Sequence, residues 1–214
     1  MQASVKNRAA QRLGPLLPVA GFFLSALVFL SLARLGLIIW KWDRVAAVEG
    51  LWPILGFGVR MDVLVLSVAL VLPALISLVL PAQKRVHRIW HRVMPLWLAV
   101  YTAIFVFMEA ATPSFVDQYD SRPNRLFFEY LDHPREVFST LWAAYKLPLL
   151  LAIVLVALAA WGAWKGSRSL AQASRPWGWD KRLIVLPAVL LLLFAGARSS
   201  FGHRPANMSA AAFS

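Results

Sequence analysis

Five stretches of this sequence are candidates to cross a lipid bilayer as helices, although the fifth has only fifteen uninterrupted apolar residues and must extend past Arg198. The hydrocarbon core of a bilayer is about 30 Å thick, so a spanning helix needs about 20 mostly apolar residues. The composition agrees, because 60% of the residues are apolar and 15% are charged, against about 45–50% and about 25% in soluble domains. The sequence therefore predicts an all-α polytopic membrane protein with a five-helix transmembrane bundle. The predicted spans are residues 16–40, 61–82, 93–112, 147–164 and 183–201.

The first span follows a positively charged segment, as the apolar part of a cleaved signal peptide would. Its apolar stretch is about twice the usual 7–15 residues, and no cleavage motif follows promptly, so we interpret it as a retained signal anchor. Prolines interrupt several spans, which a membrane bundle tolerates because neighbouring groups satisfy the freed carbonyls. These prolines are Pro18, Pro73, Pro95 and Pro187.

The basic residues are divided unevenly between the two ends of the predicted helices. Cytoplasmic loops are enriched in Lys and Arg, so we place the N-terminus, residues 1–15, in the cytoplasm. The outer segments and helix ends then hold nine basic and nine acidic residues, whereas the cytoplasmic segments hold 12 basic residues and one acid, Asp180. The net charge of +12 is thus an orientation signal and not a nucleic-acid surface, which would group its charges on one face. The 12 basic residues are Lys6, Arg8, Arg12, Lys84, Arg85, Arg88, Arg92, Lys165, Arg168, Arg175, Lys181 and Arg182.

The outer loop, residues 113–146, is too polar to span a membrane and too aromatic for a plain linker. Its apolar residues recur at spacings of about three to four, which predicts an amphipathic helix, split in two near His133-Pro134. The apolar face must bury itself against the bundle or the membrane interface. Two interpretations stay open here: a cap that seals the bundle, or a floor that presents a lipid headgroup.

Ionisable residues recur at similar depth near the outer ends of four predicted spans. Arg34 lies six residues before the end of the first span, which is about 9 Å of helix. A charge near the bilayer centre costs about 2.5–3.5 kcal/mol or more, so such groups pair or face a wet cavity. They form either structural ion pairs or a pocket for an anionic headgroup with an arginine as the phosphate ligand. The candidates are Arg34, Arg60, Asp62, Glu109 and Arg198.

No residue cluster predicts catalysis or metal binding by this chain. His87 and His91 are four residues apart, a spacing that can bind zinc, but no third ligand is near in sequence and a site needs three or four. The absence of cysteine excludes thiolate metal sites and cysteine nucleophiles. We therefore predict no catalytic residue, metal or cofactor within these residues.

Three segments carry a resemblance to a known family. Together they resemble the N-terminal membrane region of the proteobacterial lipoteichoic-acid-synthase-like family, which includes phosphoglycerol transferases acting on periplasmic glucans. The first segment is Gly58-x-Arg60-x-Asp62, at the entry to an apolar helix. The second is the outer loop, with Asp117, Tyr119, Arg122, Asn124, Glu129, Tyr130, Pro134 and Glu136, and the third is the ending Arg198 to Asn207.

The resemblance implies a place and a role for the chain. In that family five membrane helices precede a large periplasmic domain of the alkaline-phosphatase/sulfatase superfamily. That domain holds a threonine nucleophile and a divalent metal, usually manganese, and moves phosphoglycerol from a lipid such as phosphatidylglycerol to a glycan acceptor. We therefore expect a bacterial inner-membrane anchor that orients such an enzyme, with residues 202–214 starting a linker to a catalytic domain that is not in this chain. The alternative is a non-enzymatic membrane module that binds lipid or a partner.

Overall fold

The structure is a computed structural model that describes residues 10–47, 50–81, 83–119, 121–123, 129 and 134–198. These residues are almost entirely helical and include no β-strand. A short 3₁₀ turn, Gly14–Leu16, leads into the first long helix. The helices are α1 Leu17–Trp40, α2 Trp42–Ala47, α3 Leu51–Val79, α4 Lys84–Tyr119, α5 Pro134–Ala144, α6 Lys146–Ala173 and α7 Trp179–Arg198.

Four described helical segments are long and apolar enough to cross a membrane. They are Ala10–Trp40, Leu51–Val79, Arg85–Tyr119 and Lys146–Ala173, so the prediction of an all-α protein with several helices long and apolar enough to span a membrane is confirmed. The predicted fifth span is also helical, as α7, but every stretch of 18 residues in it holds three charged side chains. Because of these charges, α7 is less apolar than the four candidate spans, and a fifth membrane crossing stays a prediction.

Most helices extend beyond the predicted spans. The predicted second span starts at residue 61, but α3 begins at Leu51. Likewise α4 begins at Lys84 and continues to Tyr119, and α6 continues to Ala173. Apolar composition identifies only the section of a helix that can lie in the hydrocarbon core. Backbone hydrogen bonds between successive turns continue the helix beyond that section.

The outer loop therefore begins later than predicted. Residue 113 was expected to start it, but Pro113 lies inside α4. The Thr112 hydroxyl donates a hydrogen bond to the Met108 carbonyl over 2.8 Å, and the helix continues past the proline. Helix α5 confirms a helical segment that starts at Pro134. The split near His133 lies outside the described residues, so the amphipathic arrangement of the loop stays a prediction.

Chain contacts divide the protein into two compact units. One comprises residues 1–98 and 163–206, and the other residues 99–162 and 207–214. In the first unit α3 is the central helix, since it packs against both α1 and α7. Its core side chains Leu66, Leu70 and Leu78 are at most 1% exposed. In the second unit Phe105, Val106 and Phe115 are buried, whereas the α6 side chains between Leu147 and Leu158 are mostly exposed.

Small residues allow α7 to approach α3 closely. A Cβ placed on Gly196 would overlap the hydroxyl of Ser67, whose residue is 3% exposed. Small residues at helix contacts are the usual way in which membrane helices pack, because backbones can then come close. Gly196 and Ser67 thus set the position where α7 crosses α3.

The proline inside α3 is supported by tryptophans of α4. Pro73 has no N–H, so the carbonyl of Ala69 loses its helical donor. The Trp97 indole N–H donates to that carbonyl over 3.3 Å. One turn later the Ser77 hydroxyl donates to the Pro73 carbonyl over 2.6 Å and accepts the Trp90 indole N–H over 2.9 Å. Neighbouring groups therefore satisfy the interrupted helix, as predicted for a membrane bundle.

Candidate functional site

A buried ion pair joins α1 to α3. The Arg34 Nη2 lies 2.5 Å from the Asp62 Oδ2, and the two residues are only 4% and 6% exposed. Both are charged groups that would be costly to bury alone, so each makes the burial of the other possible. Of the two interpretations left open for these residues, the structure supports pairing for Arg34 and Asp62.

Gly58 provides the space in which this pair forms. It precedes Asp62 by four residues on α3, so the two lie on one face of the helix. A Cβ added to Gly58 would overlap the Arg34 guanidinium. The Gly58-x-Arg60-x-Asp62 motif therefore has a physical explanation: glycine admits the arginine and aspartate binds it.

The position of the motif along its helix differs from the prediction. Arg60 and Asp62 were placed at the outer start of the second helix, but α3 begins at Leu51, 11 residues before Asp62. That is about 16 Å of additional helix. The prediction was wrong because it started the span at the charged residues Arg60 and Asp62, whereas the uncharged residues 51–59 before them continue the same helix. Arg60 itself is partly exposed and makes contacts of its own.

Glu109 has a different partner, within the second unit. The Arg122 Nη1 lies 3.2 Å from the Glu109 Oε1, with the arginine side chain 42% and the glutamate side chain 13% exposed. Arg122 belongs to the outer-loop motif, so this motif includes a partner for the acid at the end of the third span.

The remaining predicted residues are more exposed. Arg198 ends α7 with an exposed side chain, and Asp117 is exposed on α4. The ring of Tyr119 lies 4.8 Å from that of Phe115, between centroids, and Glu129 is exposed. Asn124 and Tyr130 lie outside the described residues. In the described part of the chain, two ion pairs thus involve these candidates, and the other candidates have partly or fully exposed side chains.

Sequence reasoning missed the role of Arg182. It was counted as a cytoplasmic charge, but it is 2% exposed. Its Nε donates to the Trp177 carbonyl over 2.8 Å, and its Nη1 donates to the carbonyls of Leu78 over 3.3 Å and of Leu80. The Leu78 and Leu80 carbonyls lie at the C-terminal end of α3, where a cation is favourable. The sequence does contain a signal for this role, because Arg182 directly precedes an apolar span and follows Trp177 and Trp179.

The histidine pair lies on α4, where the ring centroids of His87 and His91 are 4.6 Å apart. Within the residues that the structure describes, no three side chains of His, Cys, Asp or Glu are grouped so that they could hold a metal ion.

The sequence and the fold were compared with known protein families and solved structures. No protein-family model matches the sequence, and no solved structure matches the chain.

Proposed function

We propose that this chain is the membrane anchor of a periplasm-facing phosphoglycerol transferase or sulfatase-like enzyme, which it orients toward lipid-derived substrate. The observation that carries the proposal is the use of the Gly58-x-Arg60-x-Asp62 motif. Two of its three residues form the contact between α1 and α3 through Arg34. A motif that joins two apolar helices is what an anchor of fixed geometry requires.

The proposal includes five crossings, with the N-terminus in the cytoplasm and the C-terminus in the periplasm of the bacterial inner membrane. Three features support it: 12 basic residues against one acid on the cytoplasmic side, a 20-residue α7, and the packing of α7 against α3. Arg182 also supports it, because its bonds to α3 carbonyls remove part of the cost of a charge near the start of a span.

In this proposal the donor is an anionic lipid such as phosphatidylglycerol, and the headgroup meets the outer charged residues. The buried Arg34 and Asp62 set the positions of the helices, while Arg60 and Arg198 are accessible enough to meet a phosphate. The glycan acceptor and a divalent metal, expected to be manganese, belong to the catalytic domain outside this chain. The enzyme, lipid and metal parts of the proposal derive from the resemblance of the motifs.

Two experiments test the proposal. Alkaline phosphatase fused after residue 198 is expected to be active and a fusion after residue 173 inactive, and the reverse pattern would contradict the orientation. The coding sequence beyond Ser214 is expected to continue for about 300–400 residues, above the usual size of one domain, with a threonine nucleophile and metal ligands. A stop codon at that position, in a protein that still binds anionic lipid, would favour the non-enzymatic module.

A catalytic assay separates the two functions directly. Membranes that carry the natural gene product are expected to release diacylglycerol from phosphatidylglycerol in the presence of Mn²⁺, and to lose that activity with a chelator. Arg60→Gln is expected to raise KM for the lipid, whereas Arg44→Gln, an exposed residue outside the motif, provides the matched control. Lipid binding without any turnover would contradict the enzyme proposal.

A further inference from the structure

A basic pocket opens between the start of α4 and the end of α6. It has a volume of about 510 Å³ and is lined by His87, Arg88, His91, Arg92, Arg168 and Gln172. All six residues belong to the first compact unit. The pocket is separate from the Arg34–Asp62 pair, and none of its residues is among the outer residues proposed above to meet the lipid headgroup.

The lining is entirely basic or neutral. Arg88 and Arg92 are four residues apart on α4, a spacing at which like charges repel on a helix. Within the described residues no carboxylate forms a salt bridge with either of them or with Arg168. An acidic residue of the same end, Asp180, is exposed and near Gly178. Three guanidinium groups around one pocket therefore lack the anion that would balance them.

The pocket also includes a histidine whose ring nitrogens have no hydrogen-bond partner among the described residues, while the Nε2 of the other histidine, His91, lies 3.5 Å from the Ser174 hydroxyl. Both ring nitrogens of His87 are buried and have no hydrogen-bond partner in the described part of the chain. A neutral imidazole still donates one N–H. The Arg168 guanidinium lies 5.2 Å from the Trp164 ring, a cation–π arrangement that restrains the side chain. Planar guanidinium forks and N–H donors are the groups that hold phosphate oxygens.

The height of the pocket matches the phosphate layer of a membrane. The apolar section of α4 begins at Val93 and that of α6 ends at Trp164. Arg88 and Arg168 lie five and four residues beyond these limits, or about 6–8 Å of helix. The polar layer of a bilayer is about 5–8 Å thick on each side.

We infer that this pocket binds a phosphate group, either the phosphodiester of an anionic lipid headgroup or a soluble glycerol phosphate, at the helix ends that the charge balance predicts to be cytoplasmic. Basic pockets between membrane helices on this side commonly hold lipid phosphates. The inference does not depend on the proposed enzyme, because Arg60 and Arg198, which meet the lipid headgroup in that proposal, do not line this pocket.

The test compares two charge-matched triple variants of the full chain in detergent micelles. Arg88→Gln/Arg92→Gln/Arg168→Gln removes the pocket cations, and Arg85→Gln/Arg175→Gln/Lys181→Gln removes three exposed cations from the same segments but outside the pocket. Native mass spectrometry measures the Kd for phosphatidylglycerol. The pocket variant is expected to bind at least about fivefold more weakly than the control variant, since even one basic residue near anionic lipid contributes on the order of a fivefold factor.

A second pair of variants leaves every arginine in place. Gln172→Glu puts a carboxylate into the pocket, and Gln83→Glu adds the same charge at an exposed position outside it. Weaker phosphatidylglycerol binding in the first but not the second supports the pocket. Titration of glycerol 3-phosphate into lipid-free micelles, followed by calorimetry, identifies a soluble ligand if the pocket variants alone lose that binding. Equal losses in the pocket variants and their controls, or no loss with either ligand, would overturn the inference.

Discussion

Two ion pairs in the described part of the chain use the same chemistry in different surroundings. Arg34 and Asp62 meet with side chains that are 5% and 8% exposed, whereas Arg122 and Glu109 meet with side chains that are 42% and 13% exposed. In the buried pair neither partner can be replaced by water, so each charge depends on the other. In the exposed pair water and salt compete for both. Burial, and not pairing as such, therefore decides how much an ion pair between such helices contributes to stability.

The largest expected effect comes from breaking the buried pair. Arg34→Leu or Asp62→Leu alone is expected to lower the free energy of unfolding by about 3–5 kcal/mol, because the remaining charge stays buried without a partner. The double variant is expected to lose far less, since no charge remains to be buried. Titration with SDS, followed by tryptophan fluorescence, measures all three. A double variant as unstable as the single ones would contradict the structural role of the pair.

Arg182 extends the comparison to a buried arginine whose partners are carbonyls. Arg182→Met removes the bonds to Leu78 and Leu80 and is expected to cost about 2–3 kcal/mol, as hydrogen bonds to charged groups typically do. The adjacent Lys181 is exposed, so Lys181→Met is the matched control and is expected to change stability by less than about 0.5 kcal/mol. The same unfolding titration tests this, and equal losses in the two variants would contradict a specific role for Arg182.

Gly58 sharpens the comparison because it changes the space around the buried pair and leaves both charges intact. Gly58→Ala places a methyl group where the Arg34 guanidinium lies and is expected to cost about 1–3 kcal/mol, as overpacking does. A Cβ on Gly56 meets nothing within 4 Å, so Gly56→Ala is expected to stabilise α3 by about 0.5–1 kcal/mol. The thermal unfolding midpoint of each variant decides the outcome. Similar shifts of the midpoint in both variants would show that the Arg34 side chain can move aside for the added methyl group, which would contradict this prediction.

The smallest effect is expected from the exposed pair. Arg122→Gln is expected to lower the free energy of unfolding by less than about 1 kcal/mol, since exposed ion pairs contribute little. About 1 M NaCl is expected to remove that difference while leaving the effect of Arg34→Leu unchanged, because salt screens exposed charges more than buried ones. If Arg122→Gln lowered the free energy of unfolding by more than about 2 kcal/mol, well above the range for surface pairs, the Glu109–Arg122 pair would contribute as much as a buried pair, which would contradict this prediction.

Sequence reasoning reached the class of fold and the residues that needed explanation. Apolar composition predicted the helices, because a membrane requires about 20 apolar residues in succession. It also singled out Arg34 and Asp62, since charges among apolar residues are costly. It missed the added turns of α4 and α6, because polar residues continue a helix without an apolar signal. It missed those of α3 because it placed the limit of the span at the charges of Arg60 and Asp62. It missed Arg182 because a charge count treats every arginine as solvated.

By itself the sequence determined the helical class, the location of the apolar sections and the excess of positive charge at one end of them, since these follow from composition along the chain. Only the tertiary structure decided the partners. Arg34 takes Asp62 because Gly58 leaves room on that face of α3, and Glu109 takes Arg122. The rotation of each helix about its axis selects which side chains meet, and that rotation depends on packing between residues far apart in the chain. For the same reason the basic pocket, built from two segments separated by about 80 residues and closed by helix packing, became visible only in the folded protein.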